Sequence, residues 1–452
     1  MPINTLLDAA FKSIRRFLAE RDKKSIQPTP EALAELDQLD CVLPEQPVDA
    51  LEVFEKLDRF GSPATLGTIS GRFFGFVIGG SLPVTTAANM LASAWDQNAA
   101  LQVCSPVNAK LEEVAGRWLV ELLGLPTGTE TGFATGCTMA NFTGLAAGRH
   151  RVLANKGWDV EADGLFAAPE LNVFVGAEAH PTLYSALSML GLGKKRVHEL
   201  QVDGQGRIRA DRLPTDLRPD IVCIQAGNIN TGAFDPAGEI IDWAKENNAW
   251  VHVDGAFGLW AAVIPELHDV IDPFRRADSW ATDAHKMLNT PYDCGLVFTR
   301  DREAIINAMS QRASYLQEGE QREPGHFAPE LSRRARGVEV WAALHALGRQ
   351  GVHDLVARCC AHARRFAKEL QSAGYEILNE VVFNQVLVSF GDARVTERAV
   401  ELIQQEGTCW VGTSVWQGNT VMRISVSNWQ TSDEDVTRSI ASMLNAAEKA
   451  KS

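Results

Sequence analysis

From about residue 72 to residue 300 the chain alternates short apolar runs with stretches of helical periodicity. The runs NVFVGA (172–177), IVCIQA (221–226), WVHVDGA (250–256), SWATDA (279–284) and GLVFTR (295–300) are almost continuously apolar, the composition of strands covered on both faces. Helices are expected to open near Pro181 and Pro236. The alternation predicts an α/β domain whose seven-stranded-type sheet is mostly parallel and covered by helices. Ahead of it, Leu6, Phe11, Ile14 and Leu18 share one helical stripe until Pro28, Pro30 and the CVLPEQPVD stretch break the pattern. Such an arm has little core of its own and should pack on something else, a second subunit being one candidate. After a loop from about Gln311 to Ser332, helices over 337–347 and 352–372 lead to strands VLVSF and VMRISVS. A helix over 395–406 lies between them, stopped by Gly407, and a last helix opens at Thr431 or Ser432 with acids in its first turn. The expected division is a helical arm over 1–71, a large α/β domain over 72–331 and a smaller α/β domain over 332–452.

With 452 residues, 45% hydrophobic and 22% charged, the chain has the makeup of a globular enzyme, and disordered and collagen-like classes are excluded. A net charge of −14 argues against a nucleic-acid surface. The basic clusters at 21–24, 194–196 and 333–336 are short and read as solvated faces. Eight cysteines show no CxxC pair and no zinc spacing, so no metal is expected, and a reduced, cytoplasmic protein is the simplest account. The first residues lack the layout of an export signal, and no apolar run has the length needed to span a bilayer.

The candidate chemistry lies at the ends of the expected strands. Lys286 follows SWATDA beside His285, with apolar sequence on both sides. Desolvation and a neighbouring cation are expected to lower its ammonium pKa, as an amine nucleophile requires. A lysine snorkelling at a strand terminus is the plainer alternative. Asp254 ends a buried run, so its carboxylate must be paired, protonated or bound to a positive ligand. His180 follows the strand NVFVGA, where a capping role and a ring-stacking role are both open. The small-residue loop of Gly136, Cys137 and Thr138 runs into a helix, and such a helix start binds phosphate well. The turn QAGNINTG (225–232), which holds Asn228, points to the same edge. Ligands of α/β sheets collect at the carboxyl ends of the strands.

RFFGFVIGG (72–80), SPVNAKLEEVAGRWLVELLGLP (105–126), GCTMAN (136–141), AEAHPTLYSAL (177–187), VDGAFG (253–258), DAHKML (283–288) and SRRARGVEVWAALHALGRQG (332–351) stand in the order seen in the group II amino-acid decarboxylases. The chain resembles that family over nearly its whole length beyond the arm. The resemblance implies the aspartate-aminotransferase fold (fold type I) and a pyridoxal 5′-phosphate cofactor. Lys286 would be the Schiff-base lysine, and Asp254 would keep the pyridine nitrogen protonated so that the ring becomes an electron sink. His180 would stack on one ring face and Ala256 pack on the other. Cys137, Thr138, Ser279 and His285 would contact the phosphate, with Gly136 and Asn228 also at the cofactor. It further implies a homodimer and a small amino-acid substrate, with Phe76, His326 and Arg423 as candidate substrate contacts. Arg423 reads more as structural, because a decarboxylase gains little from clamping the carboxylate it expels. Aromatic-amino-acid decarboxylases carry an acid tyrosine in the mobile loop where this chain has Pro324, Gly325, His326 and Phe327. Decarboxylation is the reading the resemblance implies, and the missing tyrosine opens others. Aldehyde synthesis, transamination and aldol cleavage on the same cofactor are alternatives, as is a non-catalytic fold relative.

Overall fold

In the computed structural model, residues 3–310 and 322–451 are described. Of the loop expected between Gln311 and Ser332, residues 311–321 lie outside the described residues.

Helices α1 (Ile3–Glu20), α2 (Pro30–Ala34) and α3 (Ala50–Gly61) form the arm, and none of the three buries a residue. Of the apolar stripe read from the sequence, Leu6, Ile14 and Leu18 are half-buried within one chain and Phe11 stays 45% exposed, as does Ile3 on the same helix at 71%. Helices α4 (Pro83–Trp95) and α5 (Pro106–Leu122) follow, each opened by a proline at its first turn.

The large sheet has seven strands in the order β1-β7-β6-β5-β4-β2-β3. These are β1 (Glu130–Ala134), β2 (Val173–Gly176), β3 (His198–Leu200), β4 (Ile221–Gln225), β5 (Trp250–Asp254), β6 (Ser279–Asp283) and β7 (Gly295–Thr299). Its pairs are parallel from β3 through to β6, while β7 runs antiparallel to both β6 and β1. The five strands legible as apolar runs form the centre; β1 and β3, the two edges, were not legible. β1 reads ETGFA, too short and glycine-broken to stand out, and β3 reads HEL and is only partly buried.

Helix α6 (Cys137–Asn155) lies across β5, β6 and β7. It can come that close because Gly144 faces His252 and Gly148 faces Trp250, where a Cβ would collide. Helices α7 (Val160–Asp163), α8 (Pro181–Met189), α9 (Ala237–Glu246), α10 (His268–Ile271) and α11 (Arg302–Met309) complete the cover on the two faces. Helical residues 336–372 (α12) are interrupted at Gly348, whose φ of 60° suits glycine. This break separates the two helical stretches expected from sequence.

The second sheet has four strands, β8 (Glu376–Ile377), β9 (Gln385–Ser389), β10 (Gly412–Trp416) and β11 (Asn419–Ser425), in the antiparallel order β10-β11-β9-β8. Helix α13 (Ala393–Glu406) is capped by the Asp392 side chain and stopped by Gly407 in the left-handed region. Helix α14 (Asp433–Lys451) opens on a reciprocal box. Asp435 N–H donates to Ser432 Oγ at 3.2 Å, and Ser432 N–H donates to Asp435 Oδ2 at 3.0 Å. Residues 72–74, at the expected start of the large domain, hydrogen-bond to this second unit: Trp410 N–H donates to Arg72 O, and Phe74 N–H to Trp410 O.

Candidate active site

The carboxyl ends of β4, β5 and β6, the start of α6 and the start of α8 enclose a cavity of about 210 Å³. Gly136, Cys137, Thr138, His180, Asp254, Ala256, His285 and Lys286 all line it. A wider, more open cleft of about 580 Å³ lies between α5 and β1 and is lined by surface charges such as Glu113, Arg117 and Glu130. The nucleophilic and acidic groups expected from sequence are in the smaller one.

At the end of β5, Asp254 is 4% exposed. Its Oδ1 accepts the Ala256 N–H at 3.3 Å and the Cys137 thiol at 3.6 Å. It therefore reaches the cavity as an anchored acid with no cation bonded to it. Burial holds the Cys137 thiol far above its ordinary pKa, reinforced by the charges of Asp254 and Asp283, so it stays a neutral donor.

The strand β6 ends on Asp283, and the turn that follows brings Lys286 Nζ to 2.9 Å from Asp283 Oδ2. Here the sequence expectation is corrected. Burial works to lower the lysine pKa, but Asp283 outweighs it and the ammonium is held above its usual range. The neighbouring cation also fails to appear: burial lowers the His285 pKa. The Cys294 N–H donates to His285 Nδ1 at 3.2 Å, leaving Nε2 to carry the hydrogen of a neutral ring, 3.7 Å from Asp283 Oδ2. Tyr292 lies against the same ring, centroids 4.3 Å apart.

His180 is the N-cap of α8. Its Nδ1 accepts the Thr182 N–H at 3.3 Å and lies 2.7 Å from Thr182 Oγ1. Burial lowers its pKa, so the ring is neutral, with Nε2 free of this cap. Capping and stacking, the two roles open from sequence, are thus compatible: one nitrogen holds the helix and the ring borders the cavity.

The N–H groups of Met139 and Ala140 close on the Gly136 carbonyl at 2.9 Å. Those of Cys137 and Thr138 stand at the open end of the 19-residue helix α6. That end is seated by Gly295, at which any Cβ would run into the backbone of Gly136.

Other expected residues lie elsewhere. Ser279 starts β6, at the strand end away from Lys286, and is bonded at 2.8 Å to both Trp250 Nε1 and His252 Nδ1 beneath α6. Asn228 is buried and shapes its own turn, accepting the N–H groups of Asn230 and Thr231; its neighbours Gly227 and Ile229 line the cavity instead. Phe76 stacks on Trp410 at 5.7 Å and is 59% exposed. Arg423, on β11, reaches the Ile229 carbonyl at 3.4 Å and so braces the turn behind the cavity wall. His326 lies in the 3₁₀ turn Pro324–His326, where Gly325 N–H donates to Ala100 O. Sequence reasoning missed Asp283, although an acid three residues before the lysine, at a strand end like that of Asp254, was a signal. It also missed the lining residues Gln225 and Phe257.

Residues 30–391 match the pyridoxal-dependent decarboxylase conserved domain. An acidic amino acid decarboxylase of Mus musculus is 28% identical over 334 residues, 70% of this chain and 59% of the relative. An aromatic-L-amino-acid decarboxylase of Bacillus atrophaeus is 24% identical over 430 residues, 90% of this chain and 87% of the relative. The crystal structure of Oryza sativa TDC with PLP and tryptamine superposes with a TM-score of 0.91 at 21% identity, covering 99% of this chain and 98% of that one. Mouse CSAD gives 0.91 at 21% identity, covering 98% of each chain. Both structures share the fold. The chain spans about three fifths of the length of the acidic amino acid decarboxylases it matches. It belongs to the pyridoxal-dependent decarboxylase family, whose cofactor is pyridoxal 5′-phosphate. The residues present fit that group: a helix start with open N–H donors for the phosphate, a buried acid with no cation bonded to it among the described residues for the ring nitrogen, and a half-buried lysine in the same cavity.

Proposed function

We propose that this member of the family is an amino-acid decarboxylase that bonds its cofactor through Lys286, works as a homodimer and resides in the cytoplasm. One observation carries the reading: Lys286, Asp254, His180 and the start of α6, from four separate stretches of sequence, line a single cavity. When bound, pyridoxal phosphate supplies an aldehyde for an amine and a ring that accepts the electron pair left as CO2 departs.

The protein's part follows from its own groups. Lys286 Nζ is the amine that would bond the cofactor aldehyde, and Asp283 at 2.9 Å helps it hold the proton that such bonding requires it to lose. Asp254 would keep a proton on the ring nitrogen; its link to Ala256 N–H fixes the carboxylate in place for this. His180 and Ala256, both at the cavity wall, would confine the ring. The open N–H groups of Cys137 and Thr138 would hold the phosphate, with His285 nearby. Orientation would select the bond that breaks, and Phe257 and Ile229 give the wall an apolar side. Phe76, His326 and Arg423 are kept as candidates for the substrate side, with Arg423 acting through the turn it braces.

The uncovered apolar faces of α1 and α3 support a homodimer, since a second copy would bury Ile3, Leu7, Phe11, Val53 and Leu57. Relatives named for acidic and for aromatic substrates both match, so the side chain accepted is a matter for assay. The cofactor-loaded protein should release CO2 and amine in equal amounts from one class within a panel of acidic, aromatic, basic and small amino acids. Aldehyde or keto acid in place of amine would move the reaction to oxidative decarboxylation or transamination, the outcomes that a loop without the acid tyrosine, here Pro324 to Phe327, keeps in play.

A further inference from the structure

Asp283 is 2% exposed, and its two oxygens have different surroundings. Oδ2 meets Lys286 Nζ at 2.9 Å and lies 3.7 Å from His285 Nε2. Oδ1 is buried without any hydrogen-bond partner. It is aimed at the start of α6: a Cβ built on Gly136 would lie 3.8 Å from it. A buried acceptor without a donor costs about 1–3 kcal/mol, and here it stands where the helix N–H groups present a site for a phosphate. A phosphate monoester is a dianion above about pH 7. Lys286 offsets the carboxylate charge at Oδ2, but Oδ1 and a phosphate oxygen at that end of α6 would be two acceptors facing each other unless a proton lies between them.

We propose that phosphate binding at the start of α6 is coupled to the uptake of one proton from solvent, held between Asp283 Oδ1 and a phosphate oxygen. The proposal rests on the cofactor reading above and deepens it. The carboxylate takes the proton, becomes a donor, and so satisfies Oδ1 and removes the repulsion in one step. No other group that faces Asp283 can take this role. From the connection that follows β6, His285 has its Nδ1 occupied by the Cys294 N–H, and Lys286 already carries its proton. The Tyr292 phenol and the Cys294 thiol, in the same connection, are neutral donors whose pKa values burial raises. From α6 the Cys137 thiol is likewise neutral. From the cap of α8, His180 has Nδ1 occupied by the Thr182 N–H. From β5, Asp254 has its Oδ1 occupied by the Ala256 N–H and the Cys137 thiol.

The test uses two probes without an aldehyde, so that covalent chemistry plays no part: 4-deoxypyridoxine and its 5′-phosphate. Titration calorimetry in two buffers of different ionisation enthalpy gives the protons taken up with each. Ring-nitrogen protonation contributes to both, so the difference belongs to the phosphate. In the native protein between pH 7.5 and 8.5 the phosphate should add about one proton, and Kd for the phosphate form should rise by up to tenfold per pH unit. In Asp283→Asn, whose amide donates a hydrogen bond without titrating, the extra proton should vanish and Kd of the phosphate form should keep only the pH dependence that the unphosphorylated probe shows. Binding of the phosphate form by the native protein without the extra proton overturns the proposal alone, as does an undiminished extra proton in Asp283→Asn. Failure of the native protein to bind either probe overturns the cofactor-site reading together with it. The native measurement decides even if the variant does not fold.

Discussion

Lys286 Nζ and Asp283 Oδ2 lie 2.9 Å apart at the end of β6, three residues apart in the chain and both inside the cavity wall. The pair keeps the amine charged until it is used, so capture of an aldehyde there begins with loss of that proton. Among the described residues that line the cavity Lys286 is the one amine, and on the proposed function Lys286→Ala removes the group that would bond the cofactor. The purified variant should lack the visible absorbance of bound pyridoxal phosphate, and turnover should fall by about 10⁴-fold or more. Retained absorbance after gel filtration would show that another amine captures the cofactor.

Gly295→Ala tests how the phosphate end is seated. The added methyl meets the Gly136 backbone, and overpacking of this kind costs about 1–3 kcal/mol. The start of α6 has to move, so cofactor affinity should weaken by about tenfold. Fluorescence titration of the apoprotein reads this directly; an unchanged Kd would mean that the helix start does not hold the phosphate.

The buried pair of Arg333 and Glu112, 2.9 Å apart and each 1% exposed, ties the segment after the undescribed residues to α5. Arg333 also donates to the carbonyls of Phe133 and Ala99. Arg333→Ala leaves the buried Glu112 carboxylate without its cation, with Asn108 Nδ2 still donating to it and to the Ala99 carbonyl, at a cost of about 3–5 kcal/mol. A urea midpoint close to that of the native protein would contradict this.

His252 sits under α6 with Nδ1 2.8 Å from Ser279 Oγ and Nε2 2.9 Å from Asn141 Oδ1. Burial pushes its pKa down from 6.5 to about 3. The folded state prefers the neutral ring, whereas the unfolded chain takes up a proton as the pH drops through 6.5. The stabilisation is complete above that pH and shrinks as pH falls toward 3, by about 2 kcal/mol at pH 5. His252→Gln, which does not titrate, should be less stable at pH 7.5 yet lose less between pH 7.5 and 5. Equal losses in the two proteins would remove His252 from the acid limb.

The five central strands were legible because each is a short apolar run bounded by turn residues, and burial on both faces demands that composition. Lys286, Asp254 and His180 were legible for a related reason, since a polar residue at the end of such a run must face either a partner or a ligand. Gly407 and the Ser432 region likewise announced helix ends through local backbone chemistry alone. Ser279 and Asn228 were misplaced because chain proximity to a site says nothing about which end of a strand, or which side of a turn, a side chain occupies. The lysine's electrostatics were misjudged for the same reason: His285 is next to it in sequence, but the turn sets Asp283 on its nitrogen and a backbone N–H on the imidazole. Those outcomes belong to tertiary structure. The order of β5, β6 and β7, and the contact of Gly295 with Gly136 that seats α6 against them, decide which groups share a cavity. Hydrophobic pattern is a property of neighbours along the chain, whereas a site is a property of neighbours across the sheet.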